Sequence, residues 1–75
     1  MDDAEMRAKI LRTLRRSSTG WLQDESLAYS LHTSTANVRL AVATMIKRGE
    51  LLVRENRHGR EYSEAPKEKS GVSHA

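Results

Sequence analysis

Cysteine is missing from the 75-residue sequence, so the domain can draw on neither a disulfide nor a thiolate metal site for stability. Aromatic residues are scarce as well. Trp21, Tyr29 and Tyr62 make up 4% of the chain and there is no Phe, which predicts an aliphatic core held by helix packing. Four glycines leave no Gly-rich loop to cradle a phosphate, and the one proline falls near the C-terminus. The longest apolar stretch, residues 40–46, is interrupted by Thr44 and far short of the roughly 20 residues of a membrane helix. Met1-Asp2-Asp3 opens acidic where a secretory signal opens basic, so the expected location is cytoplasmic, with no membrane partner.

What is present fits one small domain. The chain is about half the ~150 residues usual for a single domain, leaving no room for a second folded unit. With 37% hydrophobic and 31% charged residues it can bury a modest core. Thirteen Lys and Arg against ten Asp and Glu give a formal charge of +3, which leans toward nucleic acid or another acidic partner.

Between residues 4 and 16 the apolar Met6, Ile10, Leu11 and Leu14 share one helical face, with Glu5, Lys9, Arg12 and Arg16 opposite. Asp2, Asp3 and Glu5 suit the positive end of that helix and Arg15 and Arg16 its negative end. Ser17-Ser18-Thr19-Gly20 then stops it. Trp21-Leu22-Gln23 is too short for a helix and is predicted as an extended piece at a sheet edge. Asp24 is expected to cap a second helix of about two turns that buries Leu27, Ala28 and Leu31. Ser34 is expected to cap a third helix over residues 34–48, with Val38, Ala41, Val42, Met45 and Ile46 inward and Gly49 just beyond its end. Leu51 and Val53 then alternate with Leu52 and Arg54. The turn chemistry of Asn56-Arg57-His58-Gly59 and the return through Tyr62 complete a β-hairpin. Residues 64–75 hold the proline and almost no large apolar residue, and are expected to form a flexible tail after a domain of residues 1–63.

Helix, extended piece, helix, tight turn, longer helix and hairpin is the order of a winged helix-turn-helix: an α+β fold, mainly α, with three helices and a C-terminal β-hairpin wing. Leu27-Ala28-x-x-Leu31, a polar turn, Ser34, Val38, Val42, Met45-Ile46, Gly49 and Leu51 resemble the pattern of small bacterial and phage winged-helix transcriptional regulators, over residues 4–63. Residues 24–52 are similar without gaps to the small fimbrial phase-variation regulators of the PapI/FaeA type, including an Arg at the place of Arg39. Ser34-Thr35-Ala36-Asn37 departs from the recognition-helix start of those regulators, so their DNA sequence does not carry over. Z-form nucleic-acid domains are similar in outline and have an Asn in the third helix, but the prolines and Trp of their wing are absent here.

With the third helix in that register, Ala36, Asn37, Leu40, Thr44 and Lys47 point outward and Arg39 lies on the flank. Their chemistry suits base edges: Asn pairs with adenine, Arg with guanine, and Ala36 and the Thr35 methyl suit thymine methyls. Leu40 on this face can be read as a DNA contact, a dimer contact or simply a tolerated exposed apolar residue. Residues 34–60 carry six basic side chains (Arg39, Lys47, Arg48, Arg54, Arg57, Arg60) against Glu50 and Glu55, net +4, while residues 19–33 carry Asp24 and Glu25, net −2. The expected DNA-binding residues are thus Ser34, Thr35, Ala36, Asn37, Arg39, Leu40, Thr44, Lys47 and Arg48 on the helix and Arg54, Arg57, His58 and Arg60 on the wing. Trp21 can be read as a stacking platform for bases or, more simply, as packing beside the core.

No nucleophile, base and orienting group fall together, and His32, His58 and His74 lack partners at metal-ligand spacing. The sequence therefore predicts a non-enzyme without cofactor or metal. The expected function is sequence-specific binding of double-stranded DNA as a small transcriptional regulator, acting with itself as a homodimer or with a second regulatory protein. Its alternatives are a winged-helix protein-interaction module and an accessory protein of recombination or replication.

Overall fold

A computed structural model describes residues 2–66. Helix α1 (Asp3–Arg16) starts where the Asp2 carboxylate accepts the Glu5 amide at 2.8 Å, satisfying one of the unpaired N–H groups of its first turn. It ends where Ser17 turns extended. Its buried face is Met6, Ile10 and Leu14, the spacing that its amphipathic pattern predicts.

Strand β1 (Leu22–Gln23) leads directly into helix α2 (Asp24–Leu31). Asp24 is not the cap that its position predicts. Gln23 is the N-cap residue and makes no side-chain capping bond, while Asp24 is already helical. Its carboxylate is drawn away by a cation described below. Leu27 and Ala28 are buried. At the far end His32 adopts a left-handed conformation (φ 55°), which His tolerates better than branched residues do. Thr33 donates back to the Ala28 carbonyl at 3.0 Å and closes the turn.

Helix α3 (Thr35–Lys47) follows, with Ser34 Oγ accepting the Asn37 amide at 3.1 Å as the cap. Val38, Val42 and Met45 are buried, with Ala41 and Ile46 packed against the core. Gly49 supplies the positive φ (78°) that lets Glu50 donate to the Met45 carbonyl at 2.8 Å and sends the chain into the sheet. Val42 is 2% exposed, so Val42→Ala is expected to cost about 1–3 kcal/mol in chemical denaturation by opening space at the centre of α3. An unchanged midpoint would mean that the helical register is wrong.

Strands β2 (Leu51–Asn56) and β3 (Gly59–Glu64) form an antiparallel hairpin, and β1 pairs with the other edge of β3, giving the order β1-β3-β2. Leu22 lies opposite Tyr62, which lies opposite Val53. Central placement explains why Tyr62 is buried, whereas Val53, on an edge strand, is 41% exposed. The inward Val53 of the sequence pattern is thus only partly covered, and Leu51, at the base of the hairpin, is the apolar residue of β2 that joins the core.

The protein is α+β and mainly helical, three helices followed by a C-terminal hairpin within a three-stranded antiparallel sheet, a winged-helix-like topology. β3 runs through Glu64, which pairs with Arg15 of α1, and Ala65 donates to the Glu50 carbonyl at 3.0 Å. The ordered domain therefore includes Glu64 and Ala65, which the composition assigned to the tail. Residues 67–75 of that tail, with His74, lie outside the described residues. Among the described residues no helix is long and apolar enough to cross a membrane.

Candidate nucleic-acid interface

Because Val38, Val42 and Met45 fix the inner face of α3, its outer face is set by helical geometry. Ala36, Asn37, Leu40, Thr44 and Lys47 are all exposed there, as the sequence predicts, and Leu40 is 71% exposed. Arg48, the C-cap residue, is exposed at the end of the same helix. Asn37 donates from Nδ2 to Thr33 Oγ1 at 3.0 Å, which holds its amide at the α2–α3 turn. Thr44 donates its hydroxyl to the Leu40 carbonyl at 3.3 Å, leaving its methyl and the lone pairs of Oγ1 to offer a partner. Ser34 is occupied as the cap, and Thr35 is half-buried in the first turn.

The wing ends in a turn at Arg57 and His58. Asn56 Oδ1 accepts the His58 amide at 2.8 Å, and Gly59 adopts φ 115° where the chain re-enters β3. Gln23 of β1 donates to the His58 carbonyl at 2.6 Å, tying the hairpin tip to the strand before α2. Tip and helix are thus braced through one short connection.

The guanidinium groups are disposed differently from the cations of the expected basic surface. Arg39 donates from Nε to Asp24 Oδ2 at 2.7 Å. Arg54 donates to Glu61 at 2.8 Å while its guanidinium lies 4.1 Å from the centre of the Trp21 ring. Arg60 donates to Glu55 at 3.1 and 3.3 Å. The hydrogen bond and then the charge of Asp24 raise the pKa of Arg39 above its ordinary value, and Glu55 acts likewise on Arg60. Both groups are surface groups, so these pairs fix geometry more than stability. Lys47, Arg48 and Arg57 have no ion pair among the described residues.

The cleft between α3 and the hairpin is accordingly balanced in charge, with Asp24, Glu25 and Glu55 facing Arg39, Arg54 and Arg60. Asp24 and Glu25 also occupy the first turn of α2, the end whose dipole would otherwise attract a phosphate. On the other side of α3, a shallow hollow is lined by Asn37, Leu40, Thr44 and Arg48 together with Arg7 and Asp3 of α1. The net positive charge of residues 34–60 is therefore carried mainly at the C-terminal end of α3 and at the wing tip.

Sequence reasoning missed three residues of this surface: Asp24, Glu61 and Gln23. Asp24 reads as a cap, and nothing local announces its pairing with Arg39 across 15 positions. Glu61 lies one position past the basic segment of residues 34–60. Trp21 is half-buried with Arg54 over its ring, which makes it a support for the wing rather than an open platform for bases. Comparison with known protein families and with curated proteins finds no match to this chain.

Proposed function

We propose that this protein is a sequence-specific binder of double-stranded DNA, a small transcriptional regulator whose α3 enters the major groove while the turn at Arg57 and His58 follows the backbone or an adjacent minor groove. The observation that carries this reading is the exposure of the whole outer face of α3, residues 36, 37, 40, 44 and 47, beside a braced hairpin with a cation at its tip. Small and amide side chains at the front of the helix and cations at its end match the division between base contacts and phosphate contacts. The protein would act in the cytoplasm by occluding a site, or beside a second copy or a partner regulator, and it has no catalytic role in this reading.

Two substitutions test it with opposite signatures. Asn37→Ala is expected to weaken the selected site by about 1–3 kcal/mol and to leave random duplex nearly unaffected. Arg57→Ala should weaken both alike and reduce the salt slope by about one, because a phosphate contact carries little sequence information. Equal losses from both substitutions on both duplexes would mean that α3 does not read bases.

The exposure of Leu40 and of Tyr29 (85%) favours a second reading, a winged-helix protein-docking module, since large apolar side chains on two helices suit a protein partner. Absence of duplex binding at low ionic strength would select it.

A further inference from the structure

Arg39 and Asp24 form an unequal pair. The Asp24 side chain is only 16% exposed, whereas that of Arg39 is 64% exposed, so a largely covered carboxylate on α2 holds the inner edge of a guanidinium that α3 presents to solvent. The contact is made by Nε alone, and among the described residues the two terminal nitrogens of Arg39 carry no hydrogen bond. A planar fork anchored at Nε keeps both terminal nitrogens in one plane and loses less freedom on binding than a loose side chain.

We infer that Asp24 is a positioning residue for base readout: it holds Arg39 so that its terminal nitrogens meet the O6 and N7 acceptors of a guanine in the major groove. This rests on the duplex-binding reading given above. Guanine is the base whose major-groove edge offers two adjacent acceptors to such a fork. A phosphate is the less suitable partner at this point. Asp24 and Glu25 lie together in the first turn of α2 and would repel a full negative charge, while a neutral base edge is penalised far less. Position along the helix agrees, since Arg39 falls in the N-terminal half of α3, the half that reaches base edges in helix-turn-helix complexes.

The test is selection of bound duplexes from a random-sequence pool by the full chain, followed by the same selection with Asp24→Ala and with Arg39→Lys. The unsubstituted protein should select guanine at one fixed position. Both variants should lower the preference at that position about ten-fold, the size expected for a bidentate pair, and leave the other positions of the selected site unchanged. Arg39→Lys keeps the charge and alters an exposed side chain, so it marks the guanine position at which the effect of Asp24→Ala is read, whether or not Asp24→Ala lowers the melting temperature. A weaker fold alone would reduce binding to all sequences and would not erase one position. If duplexes are selected but no position loses guanine preference in both variants, Asp24 is not a positioning residue, while the duplex-binding reading stands. If no duplex is bound at all, both fall together.

Discussion

Tyr62→Ala is expected to remove a third or more of the domain's stability and to move its urea midpoint far down. Tyr62 is 2% exposed, at the centre of the central strand, between Leu22 of β1 and Val53 of β2, and it is the aromatic residue of an otherwise aliphatic core. Truncating a buried aromatic costs about 3–5 kcal/mol in lost transfer energy and cavity. A domain of this size is stable by about 3–10 kcal/mol in total, so the loss is of the same order as the whole. Nothing covalent compensates, because the chain has no cysteine. Tyr62→Phe keeps the ring and should stay folded, with a loss of about 1 kcal/mol or less from the hydroxyl. Circular dichroism with urea titration separates the two variants. A cooperative, near-normal transition in Tyr62→Ala would mean that the sheet contributes little to the core.

Tyr62 also illustrates what the sequence makes legible. Its strand is recognisable because an aromatic stands alone among polar neighbours after turn residues, α1 because acidic Asp2, Asp3 and Glu5 stand where its apolar period of about 3.6 begins, and α3 because Ser34 caps it at the start of the same period. Such signals are local, in that each is satisfied within one turn of the residue that carries it. Gly49 is legible for the same reason, since the bond from Glu50 to Met45 needs a positive φ at that position. Depth of burial on the wing is not local. Leu51 and Val53 look alike in the pattern, and only the order β1-β3-β2 determines that Val53 lies at an open edge.

The candidate site follows the same division. The outer face of α3 is a consequence of its inner face and is read correctly, residue by residue, from periodicity. The charge of that surface is not. A count along the chain treats Arg39, Arg54 and Arg60 as free cations, but pairing between elements brings Asp24, Glu61 and Glu55 to them. Of these three, only Glu55 lies within residues 34–60. Asp24 shows the general difficulty: an acidic residue at the start of a helix serves equally well as cap, dipole partner or counter-ion, and which role it takes depends on what the next helix places beside it.

That pairing sets the expected salt dependence of duplex binding, because only a cation that releases counterions from the DNA adds to the slope. If all six basic residues of the helix and wing met phosphates freely, the log–log slope would be about −5.4, and affinity would fall about 2,000-fold between 50 and 200 mM salt. Arg39, Arg54 and Arg60 are already neutralised by carboxylates at 2.7–3.1 Å, and a phosphate would have to compete with those partners rather than meet a bare charge. Lys47, Arg48 and Arg57 then carry the effect, giving a slope of about −2.7 and a loss of about 40-fold over the same range. Titration of a selected duplex and of a random one at four salt concentrations measures the slope directly. Glu55→Gln supplies the control: it frees Arg60 on an exposed part of the wing, away from the core, and should steepen the slope by about one for both duplexes. A slope of about −5.4 in the unsubstituted protein, unchanged in Glu55→Gln, would show that phosphates displace the carboxylates without hindrance and that the ion pairs of the cleft do not shape how this surface meets DNA.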